Sequence, residues 1–421
     1  MLILAVLIAA LVARMGAAIW WRDRLPPGQR FAFGDSASYW ILAQTIRRGE
    51  PYQYGGEGMV VFRAPGYPLL LAGLFTLVGD DPPPLWARGM GATLGTLTVG
   101  GIIWLGRELF DTRTGVLAGG LAAAYPGAIG MSIFILSEAA FCPLLVTQFI
   151  CWTLSVRSNI KVRIVSWAIA GGIAAGCATL VRPSWLLFTP GAVLLSLAAR
   201  QQRQRHARVG VVMCCAMAVT MLPWWFRNYR VTGRFVPTTL QMGASLYDGW
   251  NPGATGTSDM RFVDGFRRQQ RAWDAQQPSP LASTFEYRLD RRLRRAALDW
   301  ARQHPCRVLE LAGIKLMRMW SPWPHAAGMQ SWSFRLATLA GYAPLLVLGG
   351  WGALRYGRRG WAYVLCLLPA GYFTMLHMVF VSSIRYRQPA MLSILVLAAG
   401  GFASLAWRSP PGQRETGMIT R

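Results

Sequence analysis

Ten apolar runs dominate the sequence, and each has roughly 15 to 21 residues, close to the ~20 that an α-helix needs to cross a bilayer. They are residues 2–21, 87–106, 115–130, 139–156, 164–180, 185–199, 209–226, 336–354, 361–381 and 389–407. Only 14% of the residues are charged, whereas soluble domains carry about 25%. The sequence therefore predicts an all-α polytopic membrane bundle of about ten transmembrane helices and excludes an ordinary soluble enzyme.

The charge is strongly basic, with 43 Lys and Arg against 18 Asp and Glu. These basic residues are dispersed between the apolar runs, whereas a nucleic-acid-binding domain gathers them into a patch. No nucleic-acid partner is expected. The four histidines are far apart and the first outer loop has no DxD pair, so no metal and no other cofactor is expected.

The number of Lys and Arg residues in the short loops predicts how the helices are oriented in the membrane. Fifteen Lys and Arg lie in the short segments 107–114, 157–163, 200–208, 355–360 and 408–421, against three in 131–138, 181–184 and 382–388. The positive-inside rule places the first set in the cytoplasm. This uneven distribution of charge requires that the apolar run 66–79 does not span the membrane. Its length of 14 residues is typical of an interfacial or re-entrant helix.

Four regions follow from this topology. Residues 1–226 form an N-terminal transmembrane catalytic module that includes the first outer loop, 22–86. Residues 227–335 form a second, larger outer loop, residues 336–407 the C-terminal transmembrane helices, and residues 408–421 a cytoplasmic tail. Long loops fixed by a bundle are where an outward-facing site is expected. In the second loop, Leu309 to Trp320 has the spacing of an amphipathic helix on the membrane surface, and the basic segment 288–295 could bind anionic headgroups or form a solvated face.

The first outer loop contains the clearest candidate for chemistry. Tyr39, Leu42, Ala43 and Ile46 recur at helical spacing, and Asp35 stands at the start of that helix. The carboxylate has two interpretations, because an aspartate at this position either caps the helix or serves a site.

Other polar residues fall on the same outer side. Glu138 opens the fourth span, and four arginines lie at outer loops or span ends: Arg63, Arg182, Arg227 and Arg385. Each arginine either faces an anionic ligand or extends to the membrane interface. Arg14 lies inside the first run, where a charge indicates function or marks the true start of the span. The glycine pairs Gly91/Gly95 and Gly172/Gly176 indicate close helix packing.

Several stretches resemble the lipid-linked-sugar-dependent glycosyltransferases of the GT-C fold, of the glycosyltransferase family 39 kind. The resemblance is greatest to the bacterial branch related to protein O-mannosyltransferases and to aminoarabinose transferases. The matching stretches are GDSASYW, RAPGYPLLLAGL, GATLGTLTVGGIIWLGRELFDTRTGVLAGGLAAAYPG, LSEAAF, ATLVRPSWLLF, PWWFRNYRVTGRFVPTTLQMGASLYDGWNP and RYRQPAML. They run in order from the first span to about Trp407.

The resemblance implies a role for each candidate residue. Asp35 would be the catalytic base, and Glu138 a second acidic residue that binds the acceptor or positions the base. Arg63 would lie near the donor phosphate, where some relatives have lysine, and Arg182, Arg227 and Arg385 could also face it. Tyr67, Tyr247, Trp250 and Asn251 are candidate sugar contacts, although the last three could form only an ordered turn.

The implied reaction moves a sugar from a polyprenyl-phosphate donor to an exoplasmic glycan, lipid or protein acceptor, with inversion. The implied location is the bacterial inner membrane, with the site facing the periplasm. An alternative function is a transporter or flippase for a lipid-linked sugar, although the spans show no deep acidic residue and no obvious repeat. A non-catalytic scaffold would leave the outer charges unexplained.

Overall fold

The computed structural model describes residues 1–56, 58–198, 203–278, 281, 283–325 and 330–407. Within those residues the fold is entirely helical. The α-helices are α1 (Leu2–Arg22), α2 (Gly34–Arg47), α3 (Gly66–Val78), α4 (Pro84–Leu109), α5 (Thr112–Ala124), α6 (Pro126–Ile133), α7 (Glu138–Arg157), α8 (Lys161–Val181), α9 (Phe188–Ser196), α10 (Arg203–Thr232), α11 (Met242–Gly249), α12 (Phe262–Asp274), α13 (Phe285–Gln303), α14 (Pro305–Trp320), α15 (Trp332–Tyr356), α16 (Trp361–Val379) and α17 (Ile384–Ala406). The predicted tail, 408–421, lies outside the described residues.

Eight of these helices are long and apolar enough to cross a membrane: α1, α4, α7, α8, α10, α15, α16 and α17. The pair α5 and α6, bent by 61°, gives a ninth span if counted as one. The most apolar windows of α7 and α17 are each 72% buried, whereas that of α1 is 17% buried. Helices α7 and α17 therefore form the centre of the bundle, and α1 lies at its edge.

The predicted span 185–199 is shorter than expected. A 3₁₀ turn, Pro183–Trp185, precedes the nine-residue helix α9, and these fall below the length of a full span. A Cβ atom on Gly172 would overlap Met213, and one on Gly176 would overlap Thr220, so α8 and α10 pack closely and run parallel. Because α8 and α10 run in the same direction, the chain between them must return to the end of the bundle at which α8 begins. The helix described on that path, α9, is short.

Arg14 has a structural explanation. Helix α5 breaks at Pro126, which lacks the N–H that the carbonyl of Ala122 would accept from residue i+4 of a continuous helix. The Nη2 of Arg14 donates to this Ala122 carbonyl at 3.2 Å, and its Nε donates to Ser132 Oγ at 3.2 Å. Because α1 begins at Leu2, Arg14 lies well within the span and does not mark its start. Its side chain donates the hydrogen bond that the Ala122 carbonyl lacks at the helix break.

The apolar run 66–79 forms a helix, α3, of only 13 residues, in agreement with the prediction that it does not span. Its first residue packs against the end of α8: a Cβ on Gly66 would lie 2.8 Å from the backbone of Leu180 and Val181. Only glycine permits this approach. The contact fixes the chain that follows Arg63 beside the chain that leads into Arg182.

In the second outer loop, α14 is amphipathic as predicted. Leu309 and Met317 of its apolar stripe are each 74% exposed, whereas Leu311 and Lys315 are buried. The Nζ of Lys315 donates to the carbonyls of Gly249 and Val379, a contact that the sequence did not predict. Within the basic segment, Arg288 pairs with Asp274 and Arg294 with Asp290.

Candidate active site

Asp35 lies in the first turn of α2 but does not cap it. The N-cap residue is Phe33, and it makes no side-chain capping bond. The Asp35 carboxylate instead accepts hydrogen bonds from Arg63 Nη2 at 2.7 Å and from Arg385 Nη1 at 3.0 Å. The helix-cap interpretation is therefore wrong, and the carboxylate belongs to an ionic cluster.

Glu138, the first residue of α7, is the second carboxylate of this cluster and is 0% exposed. Arg385 donates to it through Nε at 2.5 Å and through Nη2 at 3.1 Å, and Arg182 Nη1 lies 2.7 Å from Oε1. Arg385 thus links the two carboxylates, with one guanidinium nitrogen on Asp35 and two on Glu138.

The cluster is assembled from helix ends. Asp35 lies in the first turn of α2, and Glu138 is the first residue of α7. Arg182 directly follows α8, and Arg385 lies in the first turn of α17, which the Ser383 side chain caps by accepting from the Arg385 N–H. Arg63 comes from the coil before α3. Asp35 and Arg385 are 350 positions apart, yet the topology derived from loop charge placed all five residues on the same side, and in the structure they meet at one end of the bundle.

The electrostatics favour an anionic ligand. Three arginines face two carboxylates, so the cluster has one net positive charge. Burial would raise the pKa of Asp35, but Arg63 and Arg385 hold that pKa below its ordinary value of 3.8. The carboxylate is therefore ionised at neutral pH, and the excess positive charge is available to a phosphate group.

Aromatic rings surround the arginines. The Tyr386 ring centroid lies 5.5 Å from Arg182 Cζ and 5.7 Å from Arg385 Cζ, and His377 stacks on the same ring at 4.1 Å. Tyr386 and His377 were not predicted. The Arg-Tyr-Arg sequence at 385–387 was a signal for Tyr386, whereas nothing in the sequence marked His377, which lies inside an apolar run.

Arg88 was also missed, because it stands at the edge of an apolar run. It is 3% exposed near the start of α4 and lines a small cleft with Phe33 and Ser36. Its Nη1 has no hydrogen-bond partner among the described residues. The cleft thus places a fourth arginine beside the first turn of α2.

The remaining predicted residues do not hydrogen bond to the cluster. Tyr67 is buried with its ring edge-on to Tyr39 at 5.2 Å. Arg227 donates to the Val60 carbonyl at 2.7 Å. Tyr247 packs on Phe262 and Phe266, Asn251 closes a turn by donating to the Tyr247 carbonyl, and the Trp250 Nε1 has no partner among the described residues. Asn251 therefore forms an ordered turn, and a role in sugar binding stays a prediction for all four residues.

Across the described ranges, no three His, Cys, Asp or Glu side chains are grouped so that they could hold a metal ion. Metal independence stays a prediction.

The helical bundle with this cluster at one end has the fold of the GT-C glycosyltransferases. Residues 63–224 match the sequence model of the dolichyl-phosphate-mannose-protein mannosyltransferase family. That region contains Arg63, Glu138 and Arg182 but not Asp35 or Arg385. No curated protein sequence matches the chain significantly.

Solved structures support the same fold. The archaeal oligosaccharyltransferase AglB from Archaeoglobus fulgidus, in complex with an inhibitory peptide and a dolichol-phosphate, superposes with a TM-score of 0.62 at 15% identity, over 96% of this chain and 50% of that chain. The apo form of the Archaeoglobus fulgidus oligosaccharyltransferase gives 0.60 at 16% identity, over 96% and 51%. ArnT from Cupriavidus metallidurans bound to undecaprenyl phosphate gives 0.45 at 16% identity, over 96% of this chain and 77% of that chain.

These matches confirm the resemblance to GT-C glycosyltransferases found in the sequence. The matched family and the neighbours named as oligosaccharyltransferases are transferases, in agreement with the predicted enzyme class. The chain spans about half the length of the oligosaccharyltransferases that it matches.

Proposed function

We propose that this protein is a membrane glycosyltransferase that moves a sugar from a polyprenyl-phosphate donor to an acceptor hydroxyl. Transfer takes place at the exoplasmic face of the membrane that the protein spans, with inversion at the anomeric carbon. The observation that carries this proposal is the cluster in which Asp35 contacts Arg63 and Arg385 while Arg385 and Arg182 contact Glu138. It combines an ionised base with cations for a phosphate leaving group at the end of an apolar bundle.

The chemistry is a single displacement. Asp35 takes the proton from the acceptor hydroxyl as its oxygen forms a bond to the anomeric carbon. The bond from that carbon to the phosphate oxygen breaks on the opposite side, and both of its electrons leave with the polyprenyl phosphate. Arg63, Arg182 and Arg385 stabilise the negative charge that develops there.

Donor binding also prepares the base. In the structure Arg63 and Arg385 are paired with Asp35, and these ion pairs hold its pKa low and weaken it as a base. A donor phosphate competes for the same guanidinium groups, so the pKa of Asp35 rises towards the range in which a carboxylate accepts a proton efficiently. Asp35 is thus activated when the donor arrives.

Glu138 positions the arginines in this mechanism. It has no exposed surface, and both of its oxygens accept from Arg385 while one also pairs with Arg182. That geometry supports orientation of the two guanidinium groups over direct contact with an acceptor.

The first experiment compares membrane glycolipids and surface polysaccharides by mass spectrometry in cells that contain the wild-type chain, Asp35→Asn, or no copy. We expect one species to lose a single sugar in both the deletion and the variant, because the amide cannot accept the proton. Asp23→Asn is the matched control, since Asp23 is exposed and, within the described part of the chain, pairs only with Arg22 beside it. A folded Asp35→Asn protein with full transfer would exclude Asp35 as the base.

The flippase alternative predicts a different result. Proteoliposomes that contain the protein would then move a lipid-linked sugar across the bilayer without forming a new glycosidic bond.

A further inference from the structure

Glu286, in α13 of the second outer loop, binds the backbone of the first outer loop. Its Oε2 accepts hydrogen bonds from the N–H groups of Val60 and Val61, both at 2.9 Å. Glu286 is 0% exposed and Val61 is fully buried. A carboxylate from one loop therefore satisfies two adjacent main-chain donors of the other.

The rest of this segment is also held by residues that follow α9. The Nη1 of Arg227 donates to the Val60 carbonyl at 2.7 Å, and the Leu240 N–H donates to the Val61 carbonyl at 3.0 Å. Two residues further on, Arg63 reaches Asp35 with one nitrogen and Gln241 Oε1 with the other.

No helix or strand holds residues 60–63; their main chain is fixed by these contacts. A buried N–H group without an acceptor is strongly unfavourable, so loss of the Glu286 oxygen forces Val60 and Val61 to move. Such movement shifts the main chain of Arg63. Its guanidinium group then moves away from Asp35 and from the phosphate that Arg63 is proposed to bind.

We propose that Glu286 is a positioning residue that sets the location of Arg63 and thereby the affinity for the donor phosphate. The inference rests on the proposed function. It makes the second outer loop part of the donor site through the main chain of the first loop, without contact between Glu286 and the substrate.

A double-mutant cycle tests this coupling, with undecaprenyl phosphate as the probe and the purified full-length protein in detergent. We expect Glu286→Ala to weaken binding about tenfold, the size of one lost hydrogen bond, and Arg63→Ala to weaken it at least as much. Glu286→Ala in the Arg63→Ala background should weaken it no further, because both changes remove the same contact. Glu286→Gln keeps an acceptor oxygen and should bind within about threefold of wild type.

Asp274→Asn is the matched control. It breaks the Arg288–Asp274 pair in the same loop without touching residues 60–63, and its effect should be small and additive with Arg63→Ala. Additive losses for Glu286→Ala and Arg63→Ala, or equal losses for Glu286→Ala and Asp274→Asn, would show that Glu286 only stabilises the loop and would overturn the inference. If wild type itself does not bind the probe, the proposed function fails, and this inference fails with it.

Discussion

One buried carboxylate, one half-buried carboxylate and three arginines meet at one end of the bundle. Removing a charge from water is costly unless it is paired and hydrogen bonded, and here Glu138 and Arg385 meet that condition with three close contacts in one cluster. Among the residues that the structure describes, the Asp35 carboxylate has only its two arginine partners. It is also partly exposed, with 33% of its side chain accessible, so the proposed base is the carboxylate of the pair that a substrate can reach.

The lowered pKa of Asp35 should set the pH dependence of the proposed transfer reaction. The ionised base is present above the ordinary pKa of 3.8 and is lost only as pH falls through the still lower pKa of the folded protein. We expect kcat/KM for transfer to show no acid limb from Asp35 between about pH 5 and pH 7. Arg63→Gln removes one of the two cations that oppose the effect of burial, so its acid limb should move towards neutral pH by about one unit or more.

The pH–rate profiles of wild type and Arg63→Gln measure this shift. Arg30→Gln is the control, because Arg30 pairs with Asp81 in the same loop. The position of the limb is the test, since the overall rate of Arg63→Gln also falls through weaker donor binding. If the acid limbs of wild type and Arg63→Gln lie at the same pH, the proposal that Arg63 lowers the pKa of Asp35 is contradicted.

At the scale of elements, the site depends on where helices begin and end. The first turns of α2, α7 and α17 and the residue after α8 supply four of the five charged groups. Helix α3 contributes by packing, because its N-terminus contacts the backbone at the end of α8 through Gly66. This contact holds the Arg63 segment close to Arg182.

Gly66→Ala should separate these elements. The added Cβ would lie 2.8 Å from the backbone of Leu180 and Val181, and relief of such an overlap costs about 1–3 kcal/mol. We expect a lower midpoint of thermal unfolding in detergent and weaker donor binding. Gly73→Ala is the control in the same helix, since nothing lies within 4 Å of its Cβ position. Equal stability of the two variants would show that α3 can shift without cost.

At the scale of the whole molecule, the two ends of the bundle differ in charge pattern. Lys and Arg accumulate in the short loops at one end, and the carboxylate–arginine cluster lies at the other. This asymmetry supports the proposal that the cluster faces the outside of the plasma membrane of a bacterium, where an activated sugar would arrive on a lipid carrier.

Cys306, exposed at the start of α14, tests this orientation. A membrane-impermeant maleimide should label it in intact cells, and Cys306→Ser should remove that labelling. Asn159→Cys, placed in the Cys306→Ser background in the short segment between α7 and α8, should be labelled only after permeabilisation. The reverse pattern would place the cluster in the cytoplasm.

The sequence by itself determined the all-helical membrane class and nearly all of the spans, and it predicts the side on which each charged residue lies. These properties depend on local hydropathy and on loop charge, and each can be evaluated over a window of about 20 residues. The resemblance of short motifs added the GT-C fold and the candidate roles of Asp35 and Glu138.

Only the tertiary structure decided which charges meet. Arg385 pairs with both Asp35 and Glu138, whereas Arg227, an equal candidate in sequence, holds the Val60 carbonyl instead. Sequence position also did not show that Glu286 supports the Arg63 segment. Such pairings depend on side-chain direction and on helix packing between residues that are hundreds of positions apart, and neither hydropathy nor motif spacing contains that information.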